Sequence, residues 1–243
     1  MKKILFCIAL IFLVSCAGKK TKPYSIAMDK SWYSLALNGE IANLNGFIND
    51  FLLDITKEKK IYFEVIDSNF DELTLDLKKK KYDVILSAIE PYNFNKAKYD
   101  FSKDIIKTGF VLITSNKAAY KSLSDMSNKH VGYISETGSD IFLQKYEGIF
   151  EEPYVFVSKM LDDIVNGTLE GAILSIIPAY QYISDLYQND LRIVYPPLND
   201  QAIRVVTLKD QNQDLLNIFN TSLSQMKKNN KLEELKKKWS LPK

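Results

Sequence analysis

The sequence predicts an α/β fold, and three observations predict it. Strand-like and helix-like segments alternate from Tyr24 onward. The alternation starts again after about Gly109. Tyr82 to Ala88 is a short unbroken apolar run, as a parallel strand covered on both faces requires.

Taken in order, Tyr24 to Met28 alternates as a strand. Gly46 to Ile55 carries Phe47, Ile48, Phe51, Leu52 and Ile55 on one helical face, and Ile61 to Ile66 is a β-branched and aromatic strand. Phe70 to Leu77 repeats the helical spacing, with Leu73 and Leu77 one turn apart. Gly109 to Thr114, His130 to Ile134 and Tyr154 to Val157 read as strands, and Ile141 to Tyr146 as a helix opened by Glu136 to Asp140. Ser158 caps an expected helix from Met160 to Val165. Gly171 to Ile177 is a further strand, Pro178 to Leu186 a helix, and Leu191 to Tyr195 a strand stopped by Pro196 and Pro197. Ile203 to Leu208 is the last strand. Asp214 to Lys228 and Lys231 to Trp239 are amphipathic helices, and the lysine-rich stretch 227–238 reads as a solvated helix face.

The first residues carry a different signal. Lys2 and Lys3 precede an eleven-residue uncharged run, Ile4 to Val14, too short for a helix crossing a bilayer core of about 30 Å. Small residues follow at Ser15, Ala17 and Gly18. This is the layout of a secretory signal. Leu13-Val14-Ser15-Cys16 resembles the lipobox of bacterial lipoproteins, in which the cysteine thiol accepts a diacylglyceryl group and two or more acyl chains make a stable anchor. The expected organisation is a signal peptide over 1–15 and a lipidated tether over 16–23, with the remainder in the cell envelope, periplasmic or extracellular, and held to a membrane through its lipid. Cys7 leaves with the signal, so no disulfide is available.

The 32 basic and 30 acidic residues balance once Lys2 and Lys3 are removed, which argues against nucleic acid as a partner. His130 is the single histidine, placed beside Lys129 before a strand and expected to be exposed. A His/Cys metal cluster or a Ser-His-Asp triad has little to draw on. No glycine-rich phosphate motif stands out, and no metal or cofactor is expected.

Several ordered landmarks carry a family resemblance: Asp29-Lys30-Ser31-Trp32, Gly46-Phe47 with Asp50, Phe70 with Leu73 and Leu77, Tyr82-Asp83 and Ser87, Tyr99-Asp100-Phe101-Ser102, Val131-Gly132, Thr137-Gly138-Ser139, Asn166 to Ala172, and Lys238-Trp239. From about Tyr24 to Leu241 the chain resembles the periplasmic solute-binding proteins, family 3, that serve amino-acid ABC transporters. The resemblance implies two α/β lobes joined by two hinge strands, with a ligand cleft between them. The lobes would be 24–110 with 199–243, and 116–195, and the hinge strands would lie near Val111–Thr114 and Ile193–Pro197. It implies a monomer that delivers a small solute to a permease and ATPase complex.

The same resemblance implies a charged clamp: an Arg of the first lobe on the ligand carboxylate and an acid of the second on its ammonium. Here the Arg position holds Asn95 and the acid position Ser175. Arg192 and Arg204 are the only arginines of the chain; Arg192 is expected to be exposed, while Arg204 and Lys96 are the substitutes for the missing clamp. Trp32 and Phe70 fall where the family sandwiches the ligand side chain, with ordinary core aromatics as the alternative. Glu90 stands where the family has a small polar residue and, with Asp29, offers a carboxylate to an ammonium or guanidinium. Thr137, Gly138 and Ser139 offer backbone N–H groups to an anion or merely cap a helix. Ser87 belongs to the small-residue turn at the cleft. The expected function is solute capture for an ABC importer, the solute being an amino acid or amine-like. The alternatives are a surface lipoprotein acting as sensor or adhesin, and a small lyase or dehydratase with Glu90 as its acid or base.

Overall fold

The structure, a computed structural model, describes residues 22–29, 43–135 and 137–242. The signal peptide, Cys16 and Trp32 lie outside the described residues. Two sheets organise the chain. The first has the order β2-β1-β3-β11-β4, built from β1 (Tyr24–Asp29), β2 (Phe63–Ser68), β3 (Val84–Ser87), β4 (Tyr99–Phe101) and β11 (Ala202–Leu208), with β5 (Ile106–Lys107) also paired to β11. The second has the order β10-β6-β9-β7-β8, from β6 (Phe110–Ser115), β7 (His130–Ile134), β8 (Phe150–Tyr154), β9 (Gly171–Ser175) and β10 (Leu191–Val194). Each sheet holds three parallel strands and then an antiparallel one, β11 against β3 and β6 against β9. The two halves therefore repeat an architecture.

Helices cover these sheets because their apolar residues fall on one face. On α1 (Asn43–Lys59), Phe47, Ile48, Phe51 and Ile55 are fully buried against β1, β3 and the helix α7 (Gln213–Lys228). Phe51 stacks on Phe47 and on Phe219 of α7, with ring centroids 6.2 Å apart in both pairs. The opposite face of the first sheet is closed by Leu73 and Leu77 of α2 (Phe70–Lys78). In the second sheet, Met160, Leu161 and Ile164 of α5 (Val157–Asn166) cover one face, and Leu123, Met126 and Leu143 the other. No helix among the described residues is long and apolar enough to cross a membrane.

Several expected elements shift: the strand expected at Ile61–Ile66 runs over Phe63–Ser68 and the helix expected at Ile141–Tyr146 over Ser139–Leu143, and three further shifts have a local reason. The strand expected at Tyr154–Val157 runs from Phe150 to Tyr154, whereas Val155 and Phe156 are exposed. Pro153 obscures the signal, and β8 tolerates it because it is an edge strand. Ser158 lies inside α5 rather than capping it. The strand from Gly171 stops at Ser175. Ile176 and Ile177 begin α6 (Ile176–Tyr182), whose first turn accommodates Pro178, and Ile176 N–H donates to the Gly109 carbonyl at 2.9 Å. A short helix, α3 (Asn93–Lys96), and the strands β4 and β5 have no counterpart in the sequence reading.

Much of the motif content is structural. Asp50 accepts hydrogen bonds from Lys238 Nζ (2.6 Å) and Trp239 Nε1 (2.8 Å), at the end of α8 (Lys231–Lys238). Gly46, one turn earlier, lies so close to Trp239 that an added Cβ would fall 2.1 Å from its Cζ3. Gly46, Asp50, Lys238 and Trp239 thus fasten the chain's last helix to its first. Donation from Lys238 is the main reason the Asp50 carboxyl lies below its ordinary value; burial opposes this, and the indole N–H adds to it. A depressed folded-state value stabilises the fold above the unfolded-state value, and the benefit disappears as pH falls through the folded one. Asp50→Asn is therefore expected to lower the urea midpoint at neutral pH. Its gap to the parent should close as titration is carried to about pH 3; a gap that stays constant over that range rules out the charge as its cause.

Candidate ligand cleft

In a parallel α/β sheet, side chains beyond the carboxyl ends of the strands meet at a crevice, because adjoining helices leave in different directions there. In the first lobe β1 and β3 end at Asp29 and Ser87; in the second β7 and β9 end at Ile134 and Ser175. Between the lobes lies a cavity of about 400 Å³. Glu90 and Tyr92 line it from the first lobe, and Thr137, Gly138, Phe142, Lys145 and Ser175 from the second. Phe110, Asn199 and Gln201 line it where the chain crosses between the sheets.

Four of the residues expected from sequence thus share this cavity: Glu90, Thr137, Gly138 and Ser175. The turn after β3 presents Glu90. Ser87 Oγ accepts from Ile89 N–H at 3.2 Å, and the Glu90 carbonyl accepts from Tyr92 N–H (2.9 Å) and from Asn95 Nδ2 (2.8 Å). Asn95, at the position of the missing arginine, therefore braces the loop. Ser87 and Asn95 line a separate cavity of about 360 Å³ within the first lobe, with Asp71, Ile89, Lys98 and Tyr99. Asp29 is buried at the end of β1. Lys96 is exposed and lies outside both cavities. Phe70 begins α2, but its side chain is outside the described residues, as is Trp32.

In the second lobe, Thr137 Oγ1 donates to the Ile134 carbonyl (2.7 Å), and Ser139 Oγ lies 2.6 Å from Thr137 Oγ1 and 3.1 Å from the same carbonyl. Both hydroxyls hold the turn, and Ser139 is buried. Gly138 takes a left-handed φ of 77°, the conformation that lets the turn enter the five-residue α4 (Ser139–Leu143). Sequence reasoning missed Lys145. Its ammonium sits 5.4 Å from the centroid of the Phe142 ring, and Phe142 packs 5.7 Å from Phe110. Its only signal in the sequence is its position one turn beyond Ile141, another lining residue.

Both arginines are engaged within the protein, and neither lines the cavity. Arg192 is half-buried rather than exposed, and donates to the Ala118 and Tyr120 carbonyls. Arg204 is 6% exposed; it donates to Asp104 Oδ1 (2.7 Å) and to the carbonyls of Ala202 and Asp200. Breaking a buried pair on one side costs about 3–5 kcal/mol; Asp104 keeps part of its hydration, so Arg204→Met should cost about 2–3 kcal/mol. Urea denaturation should show that loss. A bound solute should still raise the variant's melting temperature by the parent's increment; a lost increment would make Arg204 a ligand residue after all.

Among the described residues no group of three or more His, Cys, Asp or Glu side chains is placed to hold a metal ion. The fold is shared with solved structures. The unliganded open L-cystine solute receptor of Neisseria gonorrhoeae superimposes with a TM-score of 0.74 at 15% identity, covering 89% of this chain and 92% of that one. The second substrate-binding domain of a putative amino acid ABC transporter from Streptococcus pneumoniae gives 0.70 at 21% identity, covering 89% and 99%. In sequence, the arginine-binding extracellular protein ArtP of Bacillus subtilis is 27% identical over 202 residues, 81% of this chain and 78% of that protein. The L-cystine-binding protein TcyJ of Escherichia coli is 22% identical over 217 residues, 88% and 81%. The family model of the bacterial extracellular solute-binding proteins, family 3, matches residues 24–242; the chain belongs to that family and is a solute-binding protein rather than an enzyme.

Proposed function

We propose that this protein captures a small polar solute, an amino acid or an amine-like compound, between its lobes and delivers it to an ABC permease. The observation that carries this is the cavity of about 400 Å³ where the carboxyl ends of strands from both sheets converge. That size lies within the range of small-molecule sites. The cavity is lined by residues of both lobes, so a solute that contacts both favours the closed arrangement over the open one. The names of relatives support the solute class: they bind arginine and cystine, and one from Haemophilus influenzae is described as a probable amino-acid ABC transporter-binding protein.

The chain from Ala17 onward should show a raised melting temperature with a member of a panel of amino acids, polyamines, short peptides and sugars. A ligand that binds only the folded state contributes about 2.7 kcal/mol at a hundred times its dissociation constant, a readily measured shift. If nothing in the panel moves the transition, solute capture of this kind is excluded.

The anchor is the second part of the proposal. A short basic start, an uncharged run and Leu13-Val14-Ser15-Cys16 mark Cys16 as the lipidated residue. The full chain expressed in a bacterium should incorporate radiolabelled palmitate and sediment with membranes, and Cys16→Ala should abolish the label. Retained label in that variant would remove Cys16 as the acceptor.

A further inference from the structure

Among the described residues that line the cavity between the lobes two are charged, Glu90 on the first lobe and Lys145 on the second. The arrangement suggested by family resemblance has the opposite signs: a cation on the first lobe and an acid on the second. Those two positions hold Asn95 and Ser175, and the Asn95 amide is turned onto the Glu90 carbonyl. We propose that this protein binds its solute with the charge polarity of the cleft reversed, Glu90 receiving a cationic group and Lys145 a carboxylate or comparable anion of one small zwitterion.

Three observations support the assignment. Among the described residues the Glu90 carboxylate has no hydrogen-bond or ion-pair partner, although other acids, such as Asp50, Asp100 and Asp104, are saturated by lysine or arginine. Lys145 likewise has no carboxylate partner there, and its ammonium rests near the Phe142 ring. The ring steers the head group without neutralising it and, being wedged against Phe110, is fixed relative to the crossing between the sheets. Finally, both groups sit where closure of the lobes removes water. A charge desolvated there requires a counter-charge, and the solute must supply one of each sign. Uncharged sugars would leave both groups unpaired.

The inference rests on the proposed capture of an amino acid or amine-like solute, and its test separates the two. Titration calorimetry on the purified, detergent-solubilised full chain would use L-arginine, L-lysine, L-ornithine and L-cystine as probes, each beside its decarboxylated amine and its α-N-acetyl form. The parent should bind at least one amino acid and should bind its decarboxylated amine more weakly. Lys145→Met should weaken the amino acid by about ten- to a hundredfold, the range of a lost charge-assisted hydrogen bond, and leave the amine unchanged. Lys145→Arg should keep the dependence on the carboxylate. Glu90→Gln should weaken amino acid and amine alike. If Glu90→Gln instead removes the dependence on the carboxylate, or Lys145→Met weakens the amine as much as the amino acid, the polarity assignment is overturned while solute capture stands. Binding of none of these probes overturns the assignment, and if the wider panel of amino acids, polyamines, peptides and sugars also leaves the protein unmoved, the capture reading falls with it.

Discussion

The cleft depends on the close approach of two chain segments where they pass between the sheets. Gly109, between β5 and β6, lies against Asn199: an added Cβ there would fall 2.2 Å from Asn199 Oδ1 and 2.6 Å from its carbonyl oxygen. Phe110 N–H donates to Asn199 Oδ1 (3.0 Å), Leu198 N–H to the Phe110 carbonyl (2.7 Å), and Thr108 N–H to the Gln201 carbonyl (2.9 Å). The outgoing and returning segments are thus zipped together, and a side chain at position 109 would wedge them apart. Arg204 extends the zipper into the first lobe by tying Asp104, on one segment, to the Asp200 carbonyl on the other. A paired crossing of this kind restricts the lobes to a hinge motion about itself, because independent rotation would break these bonds.

The crossing also sets the cleft's floor. Phe110, Asn199 and Gln201 line the cavity directly. Ile176 N–H donates to the Gly109 carbonyl, which fixes the end of β9 and therefore Ser175 at the same level. Phe142 leans on Phe110 and carries Lys145 above it. Glu90 is placed from the first lobe by bonds within its own turn, to Tyr92 and Asn95. Glu90 and Lys145 are therefore positioned by different lobes, and the distance between them changes with closure. A solute able to bridge them favours the closed arrangement in a way that two solutes, each meeting one charge, do not.

Most of the fold was legible in the sequence because burial leaves a periodic trace. Phe47, Ile48, Phe51 and Ile55 mark α1, the unbroken apolar run of β3 marks a strand covered on both faces, and the apolar stretch from Gly171 marks a further strand, β9. The lost elements left no such trace. β4 and β5 are two or three residues long, too short for a period, and α3 buries no residue at all. Val155 and Phe156 misled in the opposite direction, because they are apolar yet exposed, and apolar character alone does not report burial. The cleft was legible only in part. Glu90, Thr137, Gly138 and Ser175 lie at or just beyond strand ends and are picked out through the family resemblance. Lys145 follows a five-residue helix and belongs to no motif, and only its packing on Phe142 sets it apart from the many other lysines of the chain.

This difference has a physical cause that bears on how ligand choice is encoded. The residues that carried the resemblance are largely consumed by the scaffold. Asp50 holds Lys238 and Trp239; Asp83 Oδ2 accepts from Ser25 N–H and Oγ; Asp100 accepts from Lys209, from Asp210 N–H and from Gln213. Gly167 takes a φ of 78° to end α5, after which Leu169 and Gly171 lead into β9. Each is constrained by several partners at once, so each keeps a recognisable type and spacing while the fold persists. A ligand-facing charge has the reverse status. Among the described residues Glu90 and Lys145 have no charged partner that fixes their sign, so either can change without breaking an ion pair of the scaffold, provided the solute changes with it. The family motifs therefore identify the scaffold, and the choice of solute is written at the loosely constrained positions between them.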